Sequence, residues 1–83
     1  YERFKALAFA YDAGREGGTM PTVMNAANEV AVQLFMEGHI SFMQIEDIIE
    51  QMMEQHETIK EPNLEEILET DRITRKKVYG IVK

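Results

Sequence analysis

From Phe4 to Val82 the apolar residues return every three or four positions, and this period leaves an α-helical fold as the only regular architecture open to the chain. In the first segment Phe4, Leu7, Ala8 and Tyr11 fall on one stripe, and Gly14, Gly17 and Gly18 follow as the stop. A glycine cluster can also cradle phosphate. Here no strand precedes it and no Gly-Lys-Ser/Thr follows, which argues against that use. A second helix is predicted from near Thr19 to Pro21, where proline suits the first turn, to about Glu37, with Gly38 ending it.

The third start is the clearest. Ser41 and Gln44 have capping-box spacing, and Ile40 with Ile45 is placed as a hydrophobic staple. Phe42, Ile45, Ile48, Ile49, Met52 and Met53 form its apolar stripe, with Glu46, Asp47, Glu50 and Glu54 opposite. A short loop then runs from His56 to Pro62, and Asn63 caps the next helix with Glu66 three residues on. Leu64, Ile67 and Leu68 give a brief apolar face. Thr70 and Asp71 are good caps in turn, so a short helix is predicted to about Glu69 and another from Asp71, with Val78, Ile81 and Val82 inward. The fold class is all-α: one domain over residues 1–83, a small antiparallel bundle of four principal helices.

Composition narrows function mainly by exclusion. There is no cysteine, hence no disulfide, thiolate metal site or cysteine nucleophile, as suits a cytoplasmic protein. The formal net charge of −6 argues against nucleic acid as a partner. No apolar run approaches the roughly 18 residues of a membrane span. The stretch from Glu37 to Asp71 is acidic, with Lys60 its one basic residue, whereas Arg72, Arg75, Lys76, Lys77 and Lys83 close the chain. Two oppositely charged solvated faces attracting each other across the bundle account for this. His39 and His56 share no helix face and lack metal-ligand spacing; each sits at or near a helix end, where a partly positive imidazole suits the dipole. The acidic pairs of the third helix read as a solvated face, and Met36, Met43, Met52 and Met53 as core filling ahead of an adaptable groove. Ser41 lacks the preceding aspartate of a carrier-protein attachment serine and reads as a cap. No catalytic, cofactor-binding or metal-binding residue is assigned.

The second helix departs from a simple amphipathic pattern. Ala27, Val30, Ala31, Leu34 and Phe35 are its best core positions. The opposite sector mixes Asn25, Asn28, Glu29, Gln33 and Glu37 with Val32 and Met36. Asn25, Asn28 and Glu29 share a face at i, i+3 and i+4. Asparagine is an indifferent helix former, so two in the opening turns call for a local reason: hydrogen bonds to nearby loops or to another domain, or simple exposure. Asn25, Asn28, Glu29, Val32 and Met36 are therefore the candidate interdomain contact, against the alternative that isolated exposed apolar residues need no explanation.

The run from Gly17 to Val32, with Asn25-Ala26-Ala27-Asn28-Glu29 at its centre, resembles the C-terminal segment of the 1-deoxy-D-xylulose 5-phosphate reductoisomerase family. The likeness continues through Phe35-Met36, Ile40-Ser41-Phe42 and Ile45, then Leu64, Ile67 and Leu68, then Asp71 with Arg75; Thr74 stands where the family tends to have alanine. The resemblance implies a homodimeric parent enzyme using NADPH and magnesium or manganese. That enzyme converts 1-deoxy-D-xylulose 5-phosphate to 2-C-methyl-D-erythritol 4-phosphate in non-mevalonate isoprenoid biosynthesis. It implies further that this chain matches only the helical bundle, that the catalytic machinery lies elsewhere in the parent, and that the bundle is a scaffold for the catalytic domain. A chain opening at Tyr1-Glu2-Arg3-Phe4, already in helical pattern, is expected to be a piece of a larger protein. The alternative is an independent helical interaction module that binds through its Met-rich or mixed face.

Overall fold

The computed structural model describes the backbone from residue 5 to 81, and the side chains in that span apart from those of residues 5 to 8 and Ala10. Four helices occupy it: α1 (Lys5–Glu16), α2 (Met20–Met36), α3 (Phe42–Gln55) and α4 (Leu64–Ile81). α2 is central, packing against each of the other three. Among the described residues α1 and α4 do not touch. The Cα envelope of 36 × 30 × 17 Å is accordingly flat.

Local chemistry sets the helix ends. Gly17 takes φ +70° and its N–H bonds the Ala13 carbonyl at 2.9 Å, closing α1, while Gly14 sits within the helix. Gly38, at φ +83°, does the same for α2, with its N–H on the Phe35 carbonyl at 3.0 Å. The Ser41–Gln44 capping box is present in both directions: the Gln44 N–H donates to Ser41 Oγ at 3.3 Å and the Ser41 N–H to Gln44 Oε1 at 2.7 Å. Asn63 and Glu66 repeat the device at α4, at 2.8 and 3.0 Å.

The core gathers on α2, where Met20, Val23, Ala26, Ala27, Val30, Ala31 and Leu34 are buried; Phe35, expected with them, is half-buried. The alanines let α3 and α4 approach closely. α3 contributes Ile45, Ile48, Ile49 and Met52, α1 Phe9 and Ala13, and α4 Val78. Each fully buried aliphatic side chain contributes about 1.5–3 kcal/mol.

Several expectations are corrected. α1 turns Phe9 and Ala13 inward and exposes Tyr11; Phe4, and the side chains of Leu7 and Ala8, lie outside the described residues. Phe42 is 68% exposed, because as the first residue of α3 it precedes the turn that meets α2. Met36 and Met43 are exposed too, so of the four methionines expected as core filling Met52 is buried and Met53 half-buried. α4 is one helix across residues 69–71, where two helices were expected. Thr70 is buried instead of capping, and Thr74 is buried one turn further on. The charged residues pair along the helix, Glu69 with Arg72 at 2.6 Å and Asp71 with Arg75 at 2.9 Å, and no glycine or proline interrupts this stretch. Leu64 and Leu68 are exposed and Ile67 half-buried; Val78 is inward as expected, Ile81 is exposed where it was expected inward, and Val82 lies outside the described residues.

Candidate interdomain face and the clasp beside it

Asn28, Val32, Asn25, Met36 and Glu29, taken in angular order, fall within roughly 100° of arc at 3.6 residues per turn. All five are exposed, Val32 at 39% and Met36 at 77%. The arc is the outward face of the central helix, between α1 on one side and α4 on the other. On the α1 side Asn28 borders a small cavity of about 140 Å³ with Phe9, Met24 and Ile49. On the α4 side Glu29 meets Arg75: one guanidinium nitrogen donates to Glu29 Oε1 at 2.9 Å while Nε donates to Asp71 Oδ2 at 2.9 Å. These two carboxylates, Asp71 first, push the Arg75 pKa above the ordinary arginine value, so the cation is fixed. Asn25 and Asn28 have no hydrogen-bond partner among the described residues, so nearby loops do not account for them. At the C-terminal end of the arc the apolar character passes to α3 through an edge-to-face pair, Phe35 and Phe42, with centroids 5.7 Å apart.

The spacing Asp71 to Arg75 was legible as an i,i+4 pair, but its third partner, Glu29, is 46 residues away in sequence and needs the tertiary fold. Sequence reasoning also missed Phe42 as a surface aromatic. Its i, i+3 spacing from Ile45 suited a core stripe, and nothing local shows that the stripe starts a turn later.

A second cluster joins the N-terminus of α2 to the α3–α4 connection. Thr19 is fully buried and its N–H donates to the Ile59 carbonyl at 3.1 Å; the Ile59 N–H returns a bond to Thr19 Oγ1 at 3.0 Å. The same hydroxyl lies 2.6 Å from His56 Nε2. Burial, and then the Lys77 ammonium, lower the His56 pKa below 6.5, against an upward pull from Glu57. A neutral ring accepting the Thr19 hydroxyl proton satisfies both groups. The imidazole thus acts as an acceptor, where a partly positive ring at a helix end was expected. Gly18, at φ +55°, lets this happen: a Cβ there would fall onto the Ile59 carbonyl oxygen and within 2.9 Å of Thr58 Cγ2. An open groove of about 740 Å³ lies beside the clasp, lined by Met52, His56, Ile59, Glu66, Thr74 and Lys77 among others.

His39 pairs loosely with Glu37, at 3.7 Å. Among the described residues no three His, Cys, Asp or Glu side chains come together to hold a metal ion, and no helix is long and apolar enough to cross a membrane. Both clusters are structural joints: Arg75 ties Glu29 on α2 to Asp71 on α4, and the Thr19 hydroxyl, although beside an imidazole, is fully buried and holds the Ile59 N–H.

A model of the family described as DXP reductoisomerase C-terminal domain matches residues 1–77. The chain is 54% identical over 82 residues to the 1-deoxy-D-xylulose 5-phosphate reductoisomerase of Halalkalibacterium halodurans, an alignment covering 99% of this chain and 22% of that protein. The protein of the same name from Bacillus cereus strain AH187 is 57% identical over 75 residues, covering 90% of this chain and 20% of the relative. That of an Exiguobacterium species is 54% identical over 78 residues, or 94% and 20%. The chain therefore spans about a fifth of the length of the curated relatives it matches.

Proposed function

The chain belongs to the family of DXP reductoisomerase C-terminal domains, and from that premise we propose that it is the non-catalytic helical bundle of such an enzyme and the scaffold for its catalytic domain. The parent is read as a cytoplasmic homodimer that reduces and rearranges 1-deoxy-D-xylulose 5-phosphate to 2-C-methyl-D-erythritol 4-phosphate with NADPH, in the non-mevalonate route to isoprenoids. NADPH and the magnesium or manganese ion are held by the rest of the parent. The described residues offer no carboxylate or imidazole cluster that fits the metal, and no step is assigned to them.

The observation that carries this reading is the family match over nearly the whole chain, joined to coverage of only a fifth of each relative. The chemistry of the bundle supports the same division of labour. Its polar groups are used to fix helix against helix, as in the Arg75 bridge, or loop against helix, as in the Thr19–His56 clasp. The outward face of α2 is the contact with the catalytic domain: it combines exposed apolar side chains with amides that have no partner among the described residues, on the helix that every other helix supports.

The test follows NADPH oxidation with 1-deoxy-D-xylulose 5-phosphate and magnesium, using the full-length protein and, beside it, these 83 residues alone. Turnover by the whole and none by the isolated chain is the expected result. Turnover by the isolated chain overturns the scaffold role. A folded, NADPH-binding whole protein without turnover overturns the enzyme assignment.

A further inference from the structure

The outward arc of α2 has two chemically different halves. Towards its N-terminus stand Asn25 and Asn28, exposed and without hydrogen-bond partners among the described residues. Towards its C-terminus stand Val32 and Met36, and the apolar surface continues onto α3 at Phe42, which Phe35 holds edge-on. The arc carries one charge, Glu29, and it is already paired with Arg75 at 2.9 Å, a cation that it shares with Asp71. A strongly charged partner therefore finds no counter-charge here. An apolar partner without free hydrogen-bonding groups leaves the two amides buried and unpaired, at a cost comparable to their lost hydration.

The occupant that satisfies both halves is polypeptide backbone in extended form. A carboxamide matches a peptide unit: Oδ1 accepts from an N–H while Nδ2 donates to a C=O. Two asparagines three residues apart on a helix lie about 5–6 Å from each other, close to the spacing of every second residue along a strand at roughly 3.3 Å per residue. From Asn25 to Met36 the helix rises about 16 Å at 1.5 Å per residue, the length of about five extended residues. Along such a segment the backbone beside Asn25 and Asn28 is held by the amides, and its apolar side chains lie on Val32, Met36 and Phe42.

We infer that the α2 face receives a short, uncharged, extended segment of the parent's catalytic domain, read through its backbone by Asn25 and Asn28 and anchored on Val32, Met36 and Phe42. This deepens the scaffold reading and rests on it. The relatives leave about four-fifths of their length outside the matched region, which is where the segment is to be sought. It also gives the unfavourable helix propensity of two asparagines a return that the bundle alone does not supply.

The experiment is hydrogen exchange read by mass spectrometry on the full-length protein, comparing the native sequence with the double variant Asn25→Ala, Asn28→Ala. Alanine raises helix propensity at both sites, so the bundle itself stays folded. One stretch of about five residues outside these 83 is expected to exchange roughly tenfold faster for each hydrogen bond lost, while the amides of α2 and α3 hold their rates. A second double variant, Val32→Gln with Met36→Gln, separates the two ideas. If it loosens the catalytic domain while the alanine pair leaves every outside segment unchanged, the scaffold reading stands and the backbone-reading inference is overturned. Diffuse acceleration with no short segment singled out overturns it as well. If neither variant changes exchange beyond the bundle, both ideas fall.

Discussion

Replacing Gly18 by alanine is the perturbation whose cost follows most directly from the packing. Gly17 and Gly18 both hold left-handed φ values, +70° and +55°. A non-glycine residue in that region costs about 1–2 kcal/mol, so both substitutions carry this penalty. They differ in what the new methyl meets. At Gly17 nothing lies within 4 Å. At Gly18 the methyl falls on the Ile59 carbonyl oxygen and within 2.9 Å of the Ile59 carbonyl carbon, which are backbone atoms and cannot rotate away. The connection must move, and with it go the bonds between Thr19 and Ile59 at 3.1 and 3.0 Å. Each is worth about 1 kcal/mol. Gly18→Ala should thus cost about 3–4 kcal/mol and Gly17→Ala about 1–2. Total stability for 83 residues is on the order of 4–12 kcal/mol, so the first variant loses a large share of it. Urea denaturation followed by circular dichroism measures both. The extra 2 kcal/mol for Gly18→Ala corresponds to a midpoint lower by roughly 8–16 °C in a thermal scan. Costs within about 0.5 kcal/mol of each other refute the reasoning, because they would mean that the Ile59 peptide moves aside freely.

Other consequences are tested the same way. Thr19→Val keeps the shape of the side chain but strands the Ile59 N–H and His56 Nε2; the loss should be about 1–3 kcal/mol, and a neutral result removes the clasp from the account. Because the folded-state pKa of His56 is lowered, the unfolded chain binds the proton more readily, so the stability this residue contributes is present above pH 6.5 and lost as pH falls through the folded value. The native chain should therefore show a fall in thermal midpoint below pH 6.5 that His56→Gln reduces, and an unchanged profile contradicts the assignment of a neutral ring. Ile49→Ala should cost about 2–5 kcal/mol and Phe42→Ala no more than about 1.5, since Ile49 is core and Phe42 touches the fold through its pairing with Phe35; reversed magnitudes would put Phe42 back in the core.

The helical fold was legible because its signals are local. Ser41 with Gln44, Asn63 with Glu66, and the glycines at 17 and 38 mark helix ends by bonds made within five residues. Where sequence reasoning failed, a distant group decided. Thr70 and Asp71 have good capping chemistry, but burial of Thr70 and the pairing of Asp71 with Arg75 favour continuing the helix. Tyr11 fits the first stripe and Phe9 does not, yet packing against α2 and α3 selects the face carrying Phe9 and Ala13. The candidate face was visible as a mixed sector on α2. That Glu29 is paired from α4, and that Phe42 extends the apolar end, depend on residues meeting across the bundle. His56 is the sharpest case, since its partner Thr19 is 37 positions away and its role inverts from cation to acceptor.

The central claim, that the outward face of α2 meets the rest of the parent protein, is tested most directly by thiol labelling. The chain has no cysteine, so Val32→Cys places a single reporter on the face and Tyr11→Cys, on exposed α1, a single control. Labelling at each position is located by mass spectrometry in the full-length protein and in the isolated chain. The account predicts that Val32→Cys reacts at least tenfold more slowly in the full-length protein than in the isolated chain, a protection of about 1.4 kcal/mol or more, while Tyr11→Cys labels equally in both. Equal labelling of Val32→Cys in the two contexts would show that nothing covers this face, and would contradict the claim.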